Sequence, residues 1–231
     1  MKQLLTALCA LALAAACSAP AEIATAPAQA PEADKAASVE TALQDTGAPV
    51  PRDGDGRPLE YLLLGQKLPA FTAPMADGSI FDSAKLDRWT VISIWSAACG
   101  DSVADGPYVA ALDRAIAQDP DLDFGSIHVP LSPEEAKADR YFGDHASLEA
   151  YFASSGYTLP VILDADGRVR EQLKINWTPT YLLISPDAVV RAFRTDLSVD
   201  KDQPVKTYIK NVSEVRKDVR DLLASDPSDL E

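Results

Sequence analysis

A buried-strand pattern that leads directly into a helical pattern is the feature of this sequence that most constrains its fold. Residues 90–95 (Thr-Val-Ile-Ser-Ile-Trp) form a short β-branched run, typical of a central strand buried on both faces. Residues 103–118 then carry apolar side chains at helical spacing. The alternation continues, with strands predicted at 124–129 and 161–163 and helices at 147–154 and 213–223, the last with Val215, Val219, Leu222 and Leu223 on one face. The pattern predicts an α/β fold, a mixed sheet flanked by helices.

Turn signals complete this outline. The Asp77-Gly78 pair lies between two short apolar runs and predicts a turn that joins two short strands. Residues 181–184 and 189–193 flank a Ser-Pro-Asp turn, which predicts a hairpin. The junction between the central strand and its helix falls on residues 97–102, and it contains Cys99.

The N-terminus resembles an export signal that ends at a cysteine. The apolar run at 4–16 has the length of a signal-peptide core and is too short to span a bilayer as a helix. It ends in Ala-Ala-Ala-Cys, which resembles a bacterial lipobox. The resemblance implies that residues 1–16 are removed and that Cys17 is lipidated, and Ser18 beside it favours the outer membrane over the inner. An ordinary signal peptide with an Ala-x-Ala cleavage site remains the alternative.

The rest of the chain divides into a tether and a domain. Residues 17–56 are rich in Ala, Pro and Glu, a composition that predicts a disordered spacer. Residues 57–231 have globular texture and are predicted to form one domain, which the export signal would place in the periplasm. The net charge of −14 argues against nucleic acid as a partner, and it also argues against an electrostatic hold on anionic lipid.

Cys99 is predicted to be the one unmodified thiol of the mature protein. Cys9 would leave with the signal peptide and Cys17 would carry lipid, so we expect no disulfide within the chain. His128 and His145 are the only histidines, and both are predicted to be solvated or capping groups. We therefore predict neither a metal site nor a cofactor.

Two segments carry a more specific resemblance. Residues 94–102 (Ile-Trp-Ser-Ala-Ala-Cys-Gly-Asp-Ser) resemble the active-site segment of thioredoxins, and residues 177–180 (Trp-Thr-Pro-Thr) resemble their cis-proline loop. Over residues 62–223 the order of motifs resembles the TlpA and ResA branch of membrane-anchored thioredoxin-like proteins. The resemblance implies a thioredoxin-like fold in which Cys99 performs thiol-disulfide exchange. It also implies a substrate-binding surface around the sulfur, formed by Thr178, Pro179, Trp95 and Trp177, with a plain core position as the alternative for either tryptophan.

Departures from the family pattern leave several functions open. Ser102 stands where Cys-x-x-Cys has its second cysteine, so Cys99 can attack a disulfide but cannot close an internal bridge. Ser93 stands where thioredoxin keeps a buried carboxylate. One function is monothiol exchange with envelope proteins or small thiols, in which Ser102 donates a hydrogen bond to the thiolate; another is a catalytically decayed binding or scaffold module. A thiol peroxidase is a third: Ser96 lies three residues before the cysteine, as in peroxiredoxins, but Ile92 replaces their upstream proline.

Overall fold

The computed structural model of the protein describes residues 50–132, 134–135, 141–200 and 202–225. The predicted signal segment, the lipidation site at Cys17 and most of the predicted tether lie outside the described residues. In the described part of the chain no helix is both long enough and apolar enough to cross a bilayer.

A mixed sheet with flanking helices forms the domain, as the sequence predicts. The strands are β1 Thr72–Pro74, β2 Ile80–Asp82, β3 Trp89–Trp95, β4 Leu122–His128, β5 Val161–Leu163, β6 Thr180–Ile184 and β7 Val190–Thr195, and the helices are α1 Gly100–Ile116, α2 Leu148–Ser155, α3 Arg168–Gln172 and α4 Pro204–Ala224. Five strands form the mixed sheet in the spatial order β5-β4-β3-β6-β7. In it β4 and β5 continue parallel from β3, while β6 and β7 form an antiparallel hairpin on its other side. A separate hairpin, β1-β2, turns at Asp77 and Gly78.

Strand β3 is the centre of the sheet and is buried along its whole length. Ile92 and Ile94 pack into the core on one face of the sheet, while Trp89 and Val91 pack into the core on the other face against α1 and α4. The prediction of a central strand buried on both faces is confirmed. Because β3 is fixed on both faces, the segment that follows it starts from a rigid position.

Residues 50–56, which the sequence assigns to the tether, make contacts of their own with the described residues after them. Residues 50–56 form a turn in which the Gly56 N–H donates to the Asp53 carbonyl (3.1 Å), and an isolated β-bridge pairs Arg52 with Pro58. Arg57 then donates to the buried carboxylate of Asp196. These contacts attach to the domain a segment whose composition alone indicates a tether.

The last helix differs most from its prediction. Helix α4 begins at Pro204 rather than at residue 213, with the proline in its first turn, where a missing N–H costs nothing. Its buried residues are Tyr208, Val212 and Arg216. Leu222 and Leu223, predicted to face the core, are 59% and 76% exposed. The core-facing positions repeat at helical spacing from residue 208, and the final turn carries its leucines out of contact with the core.

Candidate active site

Cys99 lies where the central strand passes into a helix. β3 ends at Trp95 and α1 begins at Gly100, so the residues between them form a short connection that we call the 96–99 junction. Cys99 is the N-cap residue of α1, with extended backbone, and its carbonyl accepts the Val103 N–H (3.0 Å). Its thiol is free and half-buried. The unpaired N–H groups and the positive end of the helix dipole at this position stabilise a thiolate.

The structure brings Thr178 and Pro179 to this cysteine. The Thr178–Pro179 peptide bond is cis, and both residues are buried. The Cys99 thiol donates to the Thr178 carbonyl oxygen across 3.2 Å. Three of the predicted site residues therefore meet at one place, although Cys99 and Thr178 are 79 residues apart in the sequence.

Ser102 is close to the junction, but the structure gives its hydroxyl a different partner from the one expected. Its side chain is buried, and its Oγ accepts the backbone N–H of Ser96 (3.3 Å). The predicted hydrogen bond from Ser102 to the Cys99 sulfur is not among the contacts of the described residues. Ser102 therefore connects the first turn of α1 to the end of β3.

Trp95 is a core residue. It is 4% exposed, its Nε1–H donates to Ser126 Oγ (2.7 Å), and its ring packs on Tyr151 and Phe152. The register of β3 places it opposite His128, whose ring it meets edge-on. Of the two roles that the sequence leaves open for Trp95, the structure favours the core position, because the side chain points beneath the junction into the core.

Trp177 keeps a half-buried position next to the proline loop. Its Nε1–H donates to Asp196 Oδ1 (3.4 Å), and the same carboxylate accepts from Arg57. Burial raises the pKa of the Asp196 carboxyl, and the hydrogen bond from Arg57 opposes that shift. The ring also faces Gly56, where a Cβ would lie 3.8 Å from Trp177. Gly56 and Arg57 thus form one flank of the site.

His128 is neither solvated nor at the surface, contrary to the sequence-based prediction. It is fully buried at the end of β4, among the rings of Trp95, Tyr141 and Phe142. Its Nε2 accepts the backbone N–H of Ala97 (3.0 Å). Burial lowers the pKa of His128 to about 3, so the imidazole is neutral at physiological pH. The sequence predicts a strand at 124–129 and a solvated or capping group for the histidine near its end, whereas the structure buries that side chain in the core.

A second buried polar group, Asp105, was also not predicted from the sequence. It lies on the inner face of α1 and is fully buried. Its carboxylate accepts from the Tyr181 hydroxyl (2.9 Å) and from the backbone N–H groups of Leu197 and Ser198. Asp105 therefore ties α1 to the sheet and to the loop after β7. At Ser93 the hydroxyl is buried, and it has no partner among the described residues.

The described residues contain no group of three or more His, Cys, Asp or Glu side chains that could hold a metal ion. The Nε2 atom of His128 is engaged by Ala97, and His145 packs edge-on against Tyr151. Ser96, considered above for a peroxidase, accepts the Ala98 N–H at its Oγ (3.3 Å). The arrangement around Cys99 therefore offers one thiol, a helix N-terminus and a backbone carbonyl as its chemical groups.

Comparison with known proteins identifies the fold. No family model and no curated protein matches the chain. It is similar to the solution structure of a candidate protein disulfide isomerase from Bacteroides thetaiotaomicron, with 16% identity and a TM-score of 0.50 over 67% of this chain and 90% of that one. The chain therefore has a thioredoxin-like α/β fold.

Other solved structures carry related names. One is the thioredoxin domain of a thiol-disulfide oxidoreductase from Bacteroides vulgatus, 17% identical, with a TM-score of 0.48 over 64% of this chain and 97% of that one. Another is a thiol-disulfide oxidoreductase from Bacteroides fragilis, 16% identical, with a TM-score of 0.48 over 64% of this chain and 99% of that one. Both of these structures are named as thiol-disulfide oxidoreductases.

Proposed function

We propose that this protein performs monothiol thiol-disulfide exchange through Cys99. We further propose that it belongs to the TlpA and ResA branch of thioredoxin-like proteins, and that lipid at Cys17 anchors it in the bacterial envelope with its domain in the periplasm. The apolar run at 4–16 and the cysteine that ends it support the anchor, and Ser18 favours the outer membrane. The partners would be envelope proteins or small thiols, and the chemistry requires no cofactor.

One observation carries the proposed chemistry: the Cys99 thiol lies at the N-terminus of α1, 3.2 Å from the carbonyl oxygen of Thr178, which precedes a cis-proline. The helix end stabilises the thiolate, which is the nucleophilic form of cysteine. Cys99 is only half-buried. These are the features that a thiol needs to attack a disulfide.

The exchange proceeds in one reversible step. The Cys99 thiol gives up its proton, and the thiolate attacks one sulfur of a partner disulfide. A new S–S bond forms between Cys99 and that sulfur while the old S–S bond breaks, and the departing sulfur leaves as a thiolate that takes up a proton. No electrons are gained or lost overall, because one disulfide and one thiol replace another disulfide and thiol.

Release of the partner has to come from outside the site. Ser102 occupies the position from which a second cysteine would attack the mixed disulfide, and a hydroxyl cannot replace a thiolate in that step. A second thiol of the partner or a small thiol would therefore regenerate Cys99. This requirement favours isomerisation or small-thiol exchange over net reduction by the protein alone.

A decayed binding module is the second candidate, and the position of Ser102 favours it. Its hydroxyl serves the Ser96 N–H and makes no described contact with the sulfur. Asp101, in the first turn of α1, adds negative charge beside a thiolate, which opposes the effect of the helix end. In this alternative the fold would hold a partner without covalent chemistry.

The test is formation of a mixed disulfide by the folded full chain. The protein is incubated with oxidised glutathione and with a disulfide-linked model peptide, and the Cys99-containing peptide is examined by mass spectrometry. We expect Cys99 to carry glutathione or peptide, with one thiol released for each disulfide formed, and Cys99→Ala to abolish both. If Cys99 reacts only after denaturation, the exchange proposal is wrong and the binding module replaces it.

A further inference from the structure

The 96–99 junction is held by hydrogen bonds from its four backbone N–H groups, each to a different acceptor atom. The Ser96 N–H donates to Ser102 Oγ (3.3 Å), the Ala98 N–H to Ser96 Oγ (3.3 Å) and the Cys99 N–H to the Ser96 carbonyl (3.1 Å). These three acceptors belong to the junction or to the first turn of α1. The fourth donor, the Ala97 N–H, goes to His128 Nε2 (3.0 Å), on a neighbouring strand.

His128 is itself fixed from several sides. Its main chain pairs with β3 in register with Trp95, and its carbonyl accepts from the Tyr141 hydroxyl (2.7 Å) and from the Asp164 N–H (3.0 Å). Its ring meets those of Trp95 and Tyr141 edge-on, with centroids 4.7 Å and 4.4 Å away. An imidazole held in this way has a single orientation.

Gly143 covers the carbonyl side of Ala97. A Cβ at Gly143 would lie 2.9 Å from the Ala97 carbonyl oxygen and 3.4 Å from the Ala98 Cα, so the loop backbone rests directly on the junction. Ala97 is therefore held at its N–H by His128 and confined at its carbonyl by Gly143. The thiol of Cys99 follows two residues later.

We propose that His128 is a positioning residue for Cys99: by accepting the Ala97 N–H, it holds the 96–99 junction where the thiol reaches Thr178 and is presented for attack on a disulfide. His128 does not touch the sulfur, and it acts through the backbone of the junction. The inference rests on the proposed exchange function, because it concerns the reactivity of the same thiol.

The chemistry of the site explains why a histidine suits this position. Ala97 is buried, and a buried N–H without an acceptor is costly, so some acceptor is needed there. Because Nε2 accepts, the neutral ring carries its proton on Nδ1, which is buried and has no partner among the described residues. A residue kept only for packing would avoid that unpaired N–H. The hydrogen bond that Nε2 accepts from the Ala97 N–H compensates for the unpaired Nδ1–H.

The test compares two substitutions in the full chain. His128→Gln keeps a side-chain oxygen acceptor near the place of Nε2, whereas His128→Leu keeps an apolar side chain and removes the acceptor. His145→Gln is the matched control, since that ring packs on Tyr151 and, among the described residues, no hydrogen bond joins it to the junction. The readouts are the iodoacetamide rate at Cys99 as a function of pH, followed on the Cys99 peptide by mass spectrometry, and amide exchange at Ala97.

We expect His128→Leu to slow Cys99 alkylation roughly ten-fold or more and to deprotect the Ala97 amide, because a misplaced reactive group loses rate steeply. His128→Gln should recover the rate to within about three-fold, and His145→Gln should match the native protein. Equal rates for the Leu variant and the native protein, with both folded, overturn the inference. So does equal loss in the Gln and Leu variants.

Two further measurements separate this inference from the proposed function and from a folding defect. If Cys99 of the native protein is unreactive while its Ala97 amide is protected, the exchange proposal fails and the hydrogen bond stands. If His128→Leu does not fold, amide exchange in the native protein decides. Rapid exchange at Ala97 would then show that His128 does not hold the junction.

Discussion

The sulfur of Cys99 and the carbonyl oxygen of Thr178 lie 3.2 Å apart, joining two segments that are 79 residues apart in sequence. The bond exists only while the thiol keeps its proton, since a thiolate has none to donate. When Cys99 ionises or forms a disulfide, the Thr178 carbonyl becomes available as an acceptor. In the proposed exchange this acceptor would become free as the sulfur reacts, and the backbone N–H of an extended peptide could then donate to it.

Ser102→Cys should convert the site into a dithiol. The substitution places a thiol on the first turn of α1, where the buried hydroxyl now lies, and a sulfur is a tolerable replacement there because cysteine packs as a small apolar residue. We expect oxidation to join Cys99 to the new thiol in a disulfide, and we expect the variant, once an added dithiol has reduced that disulfide, to reduce insulin.

The double variant Cys99→Ala/Ser102→Cys is the control for that gain, and it should show no insulin reduction. Thiol counts are made on the folded protein and assigned by mass spectrometry of the peptide that contains both positions. A folded Ser102→Cys protein that retains two free thiols under oxidising conditions would contradict the claim that the scaffold still presents Cys99 for exchange.

Gly143→Ala should disturb the site as well as the fold. Gly143 has φ +64°, which disfavours residues with a side chain by about 1–2 kcal/mol, and its Cβ would lie 2.9 Å from the Ala97 carbonyl. We expect the free energy of unfolding to fall by at least that amount, and we expect Cys99 alkylation to change because the junction is displaced.

Gly65→Ala separates the two effects. Gly65 has φ +79° with nothing within 4 Å of its added Cβ, so it carries the backbone cost without the contact. Urea unfolding and Cys99 alkylation are measured on both variants. An altered alkylation rate in Gly65→Ala, or an unaltered one in Gly143→Ala, would mean that the contact on Ala97 does not control the thiol.

The burial of His128 predicts a pH dependence of stability. Its pKa is lowered to about 3 in the folded protein, while an unfolded histidine titrates near 6.5. Between these values the unfolded chain binds a proton that the folded chain does not, so stability rises with pH. The stability due to the neutral ring is therefore complete above about pH 6.5 and is lost as the pH falls towards 3, a change on the order of 3–5 kcal/mol.

The measurement is urea unfolding of the full chain from pH 7.5 down to pH 4. The carboxylates contribute to the same curve, so the difference between the native protein and His128→Gln isolates the histidine. We expect the difference in unfolding free energy to shrink steadily below pH 6.5, because the Gln variant has no ring to protonate. Parallel curves for the two proteins would contradict the burial of a neutral His128.

Local signals in the sequence predict much of the fold because they act over a few residues. The β-branched run at 90–95 gives β3 to within one residue of its start. Helix α2 is bounded by Ser147, whose Oγ accepts the Ala150 N–H (3.2 Å), and by Gly156 at φ +74°. Both are cap residues that the sequence shows directly. The position of Cys99 follows from the same kind of signal, a strand that leads into a helix.

The supporting groups of the site could not be predicted in this way. His128 and Ala97 are 31 residues apart, and Asp105 meets Tyr181 across 76 residues. A polar residue in a strand or helix pattern is most often exposed, and only the register of β3 on β4 makes His128 an internal acceptor. The sequence leaves the role of Trp95 open for the same reason, since its neighbours in sequence belong to the candidate site while its neighbours in space belong to the core.

Gly106→Ala should destabilise the protein even though the change usually stabilises a helix. Alanine is favoured over glycine inside a helix by about 1 kcal/mol. At Gly106, however, the added Cβ would lie 2.0 Å from the hydroxyl oxygen of Tyr157, whose own position is fixed by a hydrogen bond to Tyr151 (2.8 Å). The overlap has to be relieved by moving the ring or α1, and overpacking of this kind costs roughly 1–3 kcal/mol.

Two comparisons make that prediction specific to the contact. Gly100→Ala, in the same helix, places its Cβ in open space, so it should be neutral or stabilising. In a Tyr157→Leu background the obstruction is smaller, and Gly106→Ala should recover most of its loss. Urea unfolding of the native protein, Gly106→Ala, Tyr157→Leu and the double variant gives the coupling free energy between positions 106 and 157. If Gly106→Ala instead stabilises the native protein, Tyr157 does not pack on α1. Some contact other than that of Tyr157 would then have to hold α1, the helix that has Cys99 at its N-terminus.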